Sequence, residues 1–447
     1  MFIDVLVDRF CTNANSEAIV WRDRSWSYAK LVEAAACWHG RLDLAGIKRG
    51  AVVSLEADHS PNAIALFLAL VERGSVIVPL TSSIEARKPE FRAIGQVEAT
   101  VSVSSDDTVH LRRTPTVATH PLLLDLKEKG HPGLVLFSSG STGEPKAAVH
   151  DLVYLLEKFK ASRKAARTLV FLLFDHIGGV NTMFHVLSNA GSLVTVQERT
   201  PEAVCALIAE HKVQVLPTSP TFLNLLLLSE AWQRHDLSSL EIITYGTEVM
   251  PESTLARLRA VLPHVTLQQT YGLSEVGILR AKSKSSDSLW VRVGGEGYET
   301  RIVDGLLEIR ARSAMLGYLN APSPFTEDGW FRTGDAVDVD GDWLLIKGRR
   351  SELINVGGEK VYPAEVESVL QEMEGVEDVT VSGEPSPITG MLVRAKVKLL
   401  QPESLPEFRR RMQAYCRDRL PAFKIPQKVV LVDNDLHGER FKRMRRD

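Results

Sequence analysis

The sequence is short of most features that would take it away from ordinary globular chemistry. It has four cysteines in 447 residues, Cys11, Cys37, Cys205 and Cys416. Their wide scatter provides neither a disulfide framework nor the spacing of metal ligands, and it suits a reducing compartment. No apolar run is long enough to cross a bilayer, which argues against a membrane partner. Charge of one sign is also lacking: the net value is −3, so neither nucleic acid nor an anionic membrane is expected to bind. Asp4 and Asp8 stand where a secretory leader carries positive charge, and a cytoplasmic location is the expectation. Repeats and low-complexity tracts are absent. What remains, 44% hydrophobic and 24% charged residues, is the composition of a soluble globular chain. Its length allows two or three domains with substantial cores.

One stretch organises the rest. Leu134 to Phe137 is four apolar residues, a buried strand. Ser138-Ser139-Gly140-Ser141-Thr142-Gly143-Glu144-Pro145-Lys146 follows it. Glycines let backbone N–H groups approach an anion, the hydroxyls add donors, and Lys146 adds a mobile positive charge. A polyphosphate needs all three. The loop is not the common P-loop, which ends Gly-Lys-Ser/Thr; here Pro145 precedes the lysine and Ala147 follows it. A plain Ser/Gly surface loop is the alternative. Beyond Asp151, residues Leu152, Leu155, Leu156 and Phe159 recur at helical spacing, so the loop is expected between a strand and a helix.

Upstream, Ala18 to Trp21 reads as a strand, Ser27 as the N-cap of a helix, Ala51 to Leu55 as a strand, Asn62 to Val71 as an apolar helix and Ser75 to Leu80 as a strand. The stretch from Asp106 to Gly130 is poorly patterned. From Thr168 strands and helices alternate: strands over Leu169–Phe174, Ser192–Val196, Val213–Leu216, Glu241–Tyr245 and Val265–Gln268, helices over Pro201–His211, Pro220–Leu228 and Pro251–Leu262. That order predicts a mainly parallel sheet with helices on both faces, and ligands at the carboxyl ends of its strands. The 138–146 loop, Asp175-His176, Gly246-Thr247-Glu248 and Tyr271-Gly272 all fall there. After Gly272 the pattern turns strand-rich. A charged linker, Gly348-Arg349-Arg350-Ser351, then leads to a small unit with a helix over Pro363–Met373 and an alternating strand over Leu392–Leu399. The expected architecture is α/β. A large N-terminal domain (1–348) has mainly parallel sheets covered by helices plus a strand-rich subdomain; a small mobile α+β domain (349–447) follows.

The loop, with the segments that follow it in order, resembles the adenylate-forming superfamily, which includes acyl-CoA synthetases, peptide-synthetase adenylation domains and luciferases. The likeness covers nearly the whole chain. Tyr271-Gly272-Leu273-Ser274-Glu275 looks like the family's aromatic-glycine motif; the resemblance implies that Tyr271 stacks on adenine, for which a flat ring is suited. Glu275 suits Mg²⁺, a hard cation that takes oxygen ligands beside substrate phosphates, with Thr142 as a second ligand. Gly329-Trp330-Phe331-Arg332-Thr333-Gly334-Asp335 is similar to the segment whose carboxylate holds two ribose hydroxyls, a role that acceptor-only Asp335 can fill. Arg349 matches the arginine that supports the same ribose. Phe174-Asp175-His176-Ile177-Gly178-Gly179 resembles the carboxylate-pocket segment of acyl-activating members. There His176 either orients the acid or is simply packed. An Asp after Phe pairs with an ammonium in amino-acid-activating members, but the trailing His-Ile-Gly-Gly fits an acyl group better. Ser219 to Asn224 and Gly246-Thr247 are expected to line the acid pocket.

Ser351 to Glu367 is similar to the opening of the small domain of acyl-CoA synthetases. Gly357-Gly358 would let the backbone approach a thin arm, in the family the phosphopantetheine of CoA or of a carrier protein; a tight turn between strands uses the same glycines. Ser351 stands where the family has Asp or Lys at its hinge. Near the C-terminus the family's Gly-Lys is altered: Gly438-Glu439-Arg440-Phe441-Lys442-Arg443 has Phe441 in the glycine place. Lys442 is the expected catalytic lysine, with Arg440 and Arg443 as substitutes and a frayed basic tail as the plain alternative. The resemblance implies ATP-dependent conversion of a small carboxylic acid to an acyl-adenylate, then transfer to a phosphopantetheine thiol. The rivals are a stand-alone enzyme loading an amino or aryl acid onto a carrier protein, and a catalytically reduced ATP-sensing scaffold.

Overall fold

The computed structural model describes residues 3–139, 144–438 and 441–445. The expectations placed on Gly140, Ser141, Thr142, Gly143 and Arg440 therefore lie outside the described residues. Two seven-stranded sheets carry the larger part of the chain. In the first, Thr266–Gln269, Ile242–Tyr245, Val215–Thr218, Arg167–Val170, Ser192–Thr195 and Glu17–Trp21 run parallel, and Arg24–Ser27 folds back antiparallel at one edge. In the second, Gly133–Ser139, Val76–Leu80, Val52–Glu56 and Ala99–Val103 are parallel, with antiparallel strands on both flanks.

The two sheets share one apolar core. Ile19 and Leu193 enter it from the first, Val53, Ile77 and Leu136 from the second. Helix Pro61–Glu72 is buried on every side from Ala63 to Val71. A helix apolar all round must lie inside, and this one does. Helix starts follow a repeated local rule. Ser60, Thr200 and Ser219 each accept a backbone N–H in the first turn, with Pro61, Pro201 and Pro220 next in sequence. The hydroxyl satisfies an orphan donor, and proline at the first helical position lacks an N–H that would need one.

Three readings of the sequence need correction. The 138–146 loop does not lead into a helix. It joins Gly133–Ser139 to an antiparallel strand, Pro145–Asp151, in which Ser138 faces Lys146; the helix begins only at Leu152. The stretch 106–130 is patterned after all: it holds strand Val109–Arg113 and helix Pro121–Lys129, capped by Gly130 in the left-handed region. The strand expected over Leu169–Phe174 stops at Val170, and the backbone from Phe171 to His176 is irregular up to the helix Ile177–Ser188.

After Gly272 the chain builds a six-stranded antiparallel sheet in the order Ala281–Ser283, Trp290–Val293, Trp343–Arg349, Phe331–Asp340, Leu306–Ala311, Tyr298–Val303. The smaller C-terminal domain has its own sheet, with Val376–Ser386 and Gly390–Leu399 paired along their length. Its separate core includes Val366, Leu370, Val381, Val397 and Phe408. No helix among the described residues is long and apolar enough to cross a membrane.

Candidate active site

The carboxyl ends of the parallel strands and the start of the strand-rich region bring several of the expected residues within electrostatic reach of one another. Beside the 138–146 loop, Lys146 lies over the Tyr318 ring, 5.6 Å from its centroid, and the Tyr318 hydroxyl donates to Glu275 Oε1 at 2.8 Å. Asn320 clamps the strand that carries Lys146, donating to the Pro145 carbonyl and accepting from Ala147 N. Buried His150 donates from Nε2 to the Ser274 carbonyl at 2.5 Å. Burial holds that imidazole below its usual pKa, against the bond to Ser274, which raises it. Among the described residues the second Glu275 oxygen has no protein donor. An oxygen donor of that kind, half-buried beside a phosphate-type loop, fits Mg²⁺.

A second group surrounds Asp335. This carboxylate is 7% exposed. It accepts from the Tyr271 hydroxyl at 2.5 Å, and Arg349 Nε lies 3.5 Å from its other oxygen. Burial raises the Asp335 pKa and the Arg349 charge opposes the rise. Tyr271 itself is buried in the strand-rich core, and burial pushes its hydroxyl well above the ordinary range. The phenol therefore stays protonated and fixes the carboxylate. Strand register sets the pair Asp335 and Arg349 directly opposite each other.

Glycines here are required by close approach. A Cβ on Gly246 would sit 2.6 Å from Thr270 Oγ1, and one on Gly272 would sit 2.7 Å from the Gly277 carbonyl oxygen. Between them, Thr247 holds φ +74°. A β-branched residue in that region is strained, and strain of this kind clusters at functional sites. Glu248 is engaged by the protein itself: it accepts from the N–H and hydroxyl of Thr221 and from Arg443 N.

Phe441 to Arg443 pack against the same region, touching Ser219 and Glu248. Phe441 puts its ring 5.3 Å from Phe171 and 5.4 Å from Phe222, and its carbonyl accepts from the Ser219 hydroxyl at 2.8 Å. Its φ is +50°, so Phe441 keeps a glycine-type backbone where the resemblance expects glycine. Lys442 follows. As a residue it is exposed, but its ammonium end is crowded; desolvation, then the Arg349 charge, lowers its pKa. Lys442 in turn acts electrostatically on Asp335. The tail is not frayed. Arg443 and Arg445 both bind Glu367, a fully buried carboxylate of helix Pro363–Gln371, at 2.9 and 2.7 Å. Arg445 also reaches Glu352 at 2.9 Å.

Other expected residues make local contacts of their own. Gly357 and Gly358, at φ +61° and +97°, form the exposed turn between Ile354–Val356 and Glu359–Val361. Asp175 is buried and accepts from Thr81 Oγ1 at 2.9 Å; His176, half-buried, precedes the helix Ile177–Ser188. Tyr318 and Asn320 were not singled out from the sequence, and Thr221 and Glu367 entered it only inside the longer segments Ser219–Asn224 and Ser351–Glu367. They act through partners distant in the chain, and no local periodicity marks them.

The AMP-binding enzyme family pattern matches residues 8–318, and the AMP-binding enzyme C-terminal domain pattern matches residues 365–440. An indoleacetate–CoA ligase of Aromatoleum aromaticum (strain DSM 19018 / LMG 30748 / EbN1) is 26% identical over 484 residues, covering 96% of this chain and 94% of that protein. The anthranilate CoA ligase AuaEII, solved with anthranoyl-AMP, superposes with a TM-score of 0.81 at 20% identity, over 97% of this chain and 93% of that one. The amide bond synthetase McbA from Marinactinospora thermotolerans gives 0.73 at 24% identity, over 97% and 96%.

Proposed function

Since the chain belongs to the AMP-binding enzyme family, within the adenylate-forming, acyl-CoA-synthetase-like superfamily, we propose that it activates a small carboxylic acid with ATP and transfers the acyl group to the phosphopantetheine thiol of CoA. In the first half, a carboxylate oxygen attacks the α-phosphorus, an acyl-adenylate forms and pyrophosphate leaves. In the second, the thiol loses its proton, sulfur attacks the acyl carbon, and AMP leaves.

The single observation that carries this reading is that Lys442 lies within electrostatic reach of Asp335, Arg349 and Glu248. Asp335, held by Tyr271, takes the ribose hydroxyls, with Arg349 beside it. Lys146 and Ser138, Ser139, Gly140, Ser141, Thr142 and Gly143 hold the β- and γ-phosphates. Tyr271, Gly272, Ser274 and Gly246-Thr247 form the adenine and acid-side walls. Lys442 meets charge developing on the α-phosphate. Protein groups fixed in advance at developing charge, and reactants held in line, supply most of the rate in such a step. Glu275, with Thr142, would hold Mg²⁺, whose chemistry is neutralisation of phosphate charge. His176 and the Ser219–Asn224 helix start face the acid. In the second half the small domain turns about residues 349–351 and presents Gly357-Gly358 to the thiol arm.

A second reading, loading an amino or aryl acid onto a carrier protein, is favoured by Asp175, a buried carboxylate directly after Phe174 in the segment expected at the acid pocket. Pyrophosphate exchange against a panel of aryl, fatty and amino acids tests the adenylation step. The same panel with CoA or a holo carrier protein as acceptor separates the two readings. No exchange with any acid would remove both.

A further inference from the structure

A cleft of about 580 Å³ opens on the six-stranded sheet and shares no lining residue with the site above. Its size is that of small-molecule pockets. Arg280, Lys282, Arg292 and Arg301 line it, and Asp342 is its one acidic residue. Arg301 is neutralised by Glu308 and Asp328, each 2.7 Å away. Arg280, Lys282 and Arg292 have no carboxylate partner among the described residues.

The register makes this costly. Lys282 and Arg292 stand directly opposite each other on antiparallel strands, both exposed. Like charges in facing positions repel and destabilise a sheet. The positive field extends further: Lys158, whose ammonium donates to the Ile278 carbonyl at 2.8 Å, has its pKa lowered to about 7 by burial and then by the charges of Arg163 and Arg280. Beside these cations lies an apolar side, with Ile302 37% and Val339 52% exposed. Unpaired arginines next to exposed apolar surface match a ligand that is anionic at one end and flat and apolar at the other.

We propose that this cleft is a second anion site, separate from the 138–146 loop, that binds a nucleotide-sized polyphosphate. Its phosphates lie on Arg280, Lys282 and Arg292, and its base lies against Ile302 and Val339. Two sources carry that chemistry: a free nucleotide, and the nucleotide end of CoA.

The test compares the parent with a Lys282→Gln, Arg292→Gln double variant, neither residue belonging to the reaction site. Calorimetric titration with ADP is expected to show two sites per chain in the parent and one in the variant; adenosine 3′,5′-bisphosphate, whose 3′-phosphate keeps it off Asp335, is expected to find one site in the parent and none in the variant if the source is CoA. Each lost charge contact weakens the second site about tenfold, and added salt weakens it in the parent. The variant is expected to melt at the same temperature or higher, because the facing repulsion is relieved. If the source is CoA, the variant raises KM for CoA and leaves KM for pantetheine unchanged; if it is a free nucleotide, only ADP binding changes. One ADP per chain in the parent, or two retained in the variant, overturns the proposal. Pyrophosphate exchange in the parent reports on the proposed function independently, since the titration decides the cleft whether or not exchange occurs.

Discussion

The Phe441 ring meets the Phe222 ring edge-on at 5.4 Å, from a backbone held at φ +50°. The two facts oppose each other energetically. Burying an aromatic ring stabilises by about 1.5–3 kcal/mol. A non-glycine residue in the left-handed region costs about 1 kcal/mol or more. The ring wins, and it ties the C-terminal hairpin to the helix that Ser219 caps. Phe441→Ala discards the ring and keeps the strain, so adenylation measured by pyrophosphate exchange is expected to fall about 10- to 100-fold. Phe441→Gly also discards the ring but relaxes the backbone, and should recover about 1 kcal/mol, roughly fivefold. Equal rates for alanine and glycine would show that the backbone contributes nothing to docking.

Lys442, proposed above to meet charge on the α-phosphate, is the first catalytic residue to test. By analogy with loss of one preorganised donor, Lys442→Ala is expected to lower the adenylation rate about 10²- to 10³-fold, or about 3–4 kcal/mol. KM for ATP should change little, because the ribose and phosphate contacts are elsewhere. The neighbouring cations Arg443 and Arg445 are already committed to Glu367, so neither substitutes for the lost ammonium. A variant with the parent's exchange rate removes Lys442 from the mechanism.

Much of this was legible in the sequence where a local signal exists. Ser219-Pro220 and Thr200-Pro201 mark helix starts through the hydroxyl and the ring themselves. The buried helix at 61–72 follows from unbroken apolarity. The strand Pro145–Asp151 was missed because it is buried nearly throughout and so lacks the alternation of a half-exposed strand. Its proline stands at the first position, where a strand tolerates it. A frayed tail stayed open as the alternative because a run of arginines reveals nothing of the carboxylate it will find. Glu367 sits on a helix whose apolar face suggested only a small core, yet its side chain points into the protein to bind both arginines. Contacts of that range belong to tertiary structure, beyond the reach of periodicity.

Glu367 also makes a pH prediction. Burial alone would raise its pKa, but the Arg445 and Arg443 charges and the Val381 N–H outweigh burial and hold it at about 2. A carboxylate depressed on folding contributes stability above its unfolded pKa, ordinarily about 4.3, and loses it as pH falls through the folded value. The contribution should therefore be complete at neutral pH and disappear between about pH 4.3 and pH 2. Glu367→Gln removes the carboxylate that Arg443 and Arg445 share, leaving Arg445 with Glu352 alone and Arg443 with Asp378 at 4.0 Å; breaking a buried cluster in this way costs about 3–5 kcal/mol. Urea unfolding across this pH range should show a falling midpoint for the parent and a lower, flatter one for the variant. Parallel curves would mean the cluster does not titrate as the structure implies.

Arg349 reaches both titrating groups of the candidate site with opposite consequences for activity. Its charge lowers the Asp335 pKa against the effect of burial, and it adds to the desolvation that lowers the Lys442 pKa. Asp335 must be ionised to accept the ribose hydroxyls, so nucleotide binding weakens as pH falls through its pKa. Lys442 must be protonated to meet phosphate charge, so catalysis weakens as pH rises through its own. Removing the guanidinium lets both pKa values rise. Arg349→Gln is therefore expected to move both limbs of the exchange–pH profile to higher pH, the acid limb in kcat/KM for ATP and the alkaline limb in kcat. Arg349 is 46% exposed at its side chain, so salt should diminish the displacement in the parent–variant comparison. A loss of rate with both limbs unmoved would limit Arg349 to direct contact with the nucleotide.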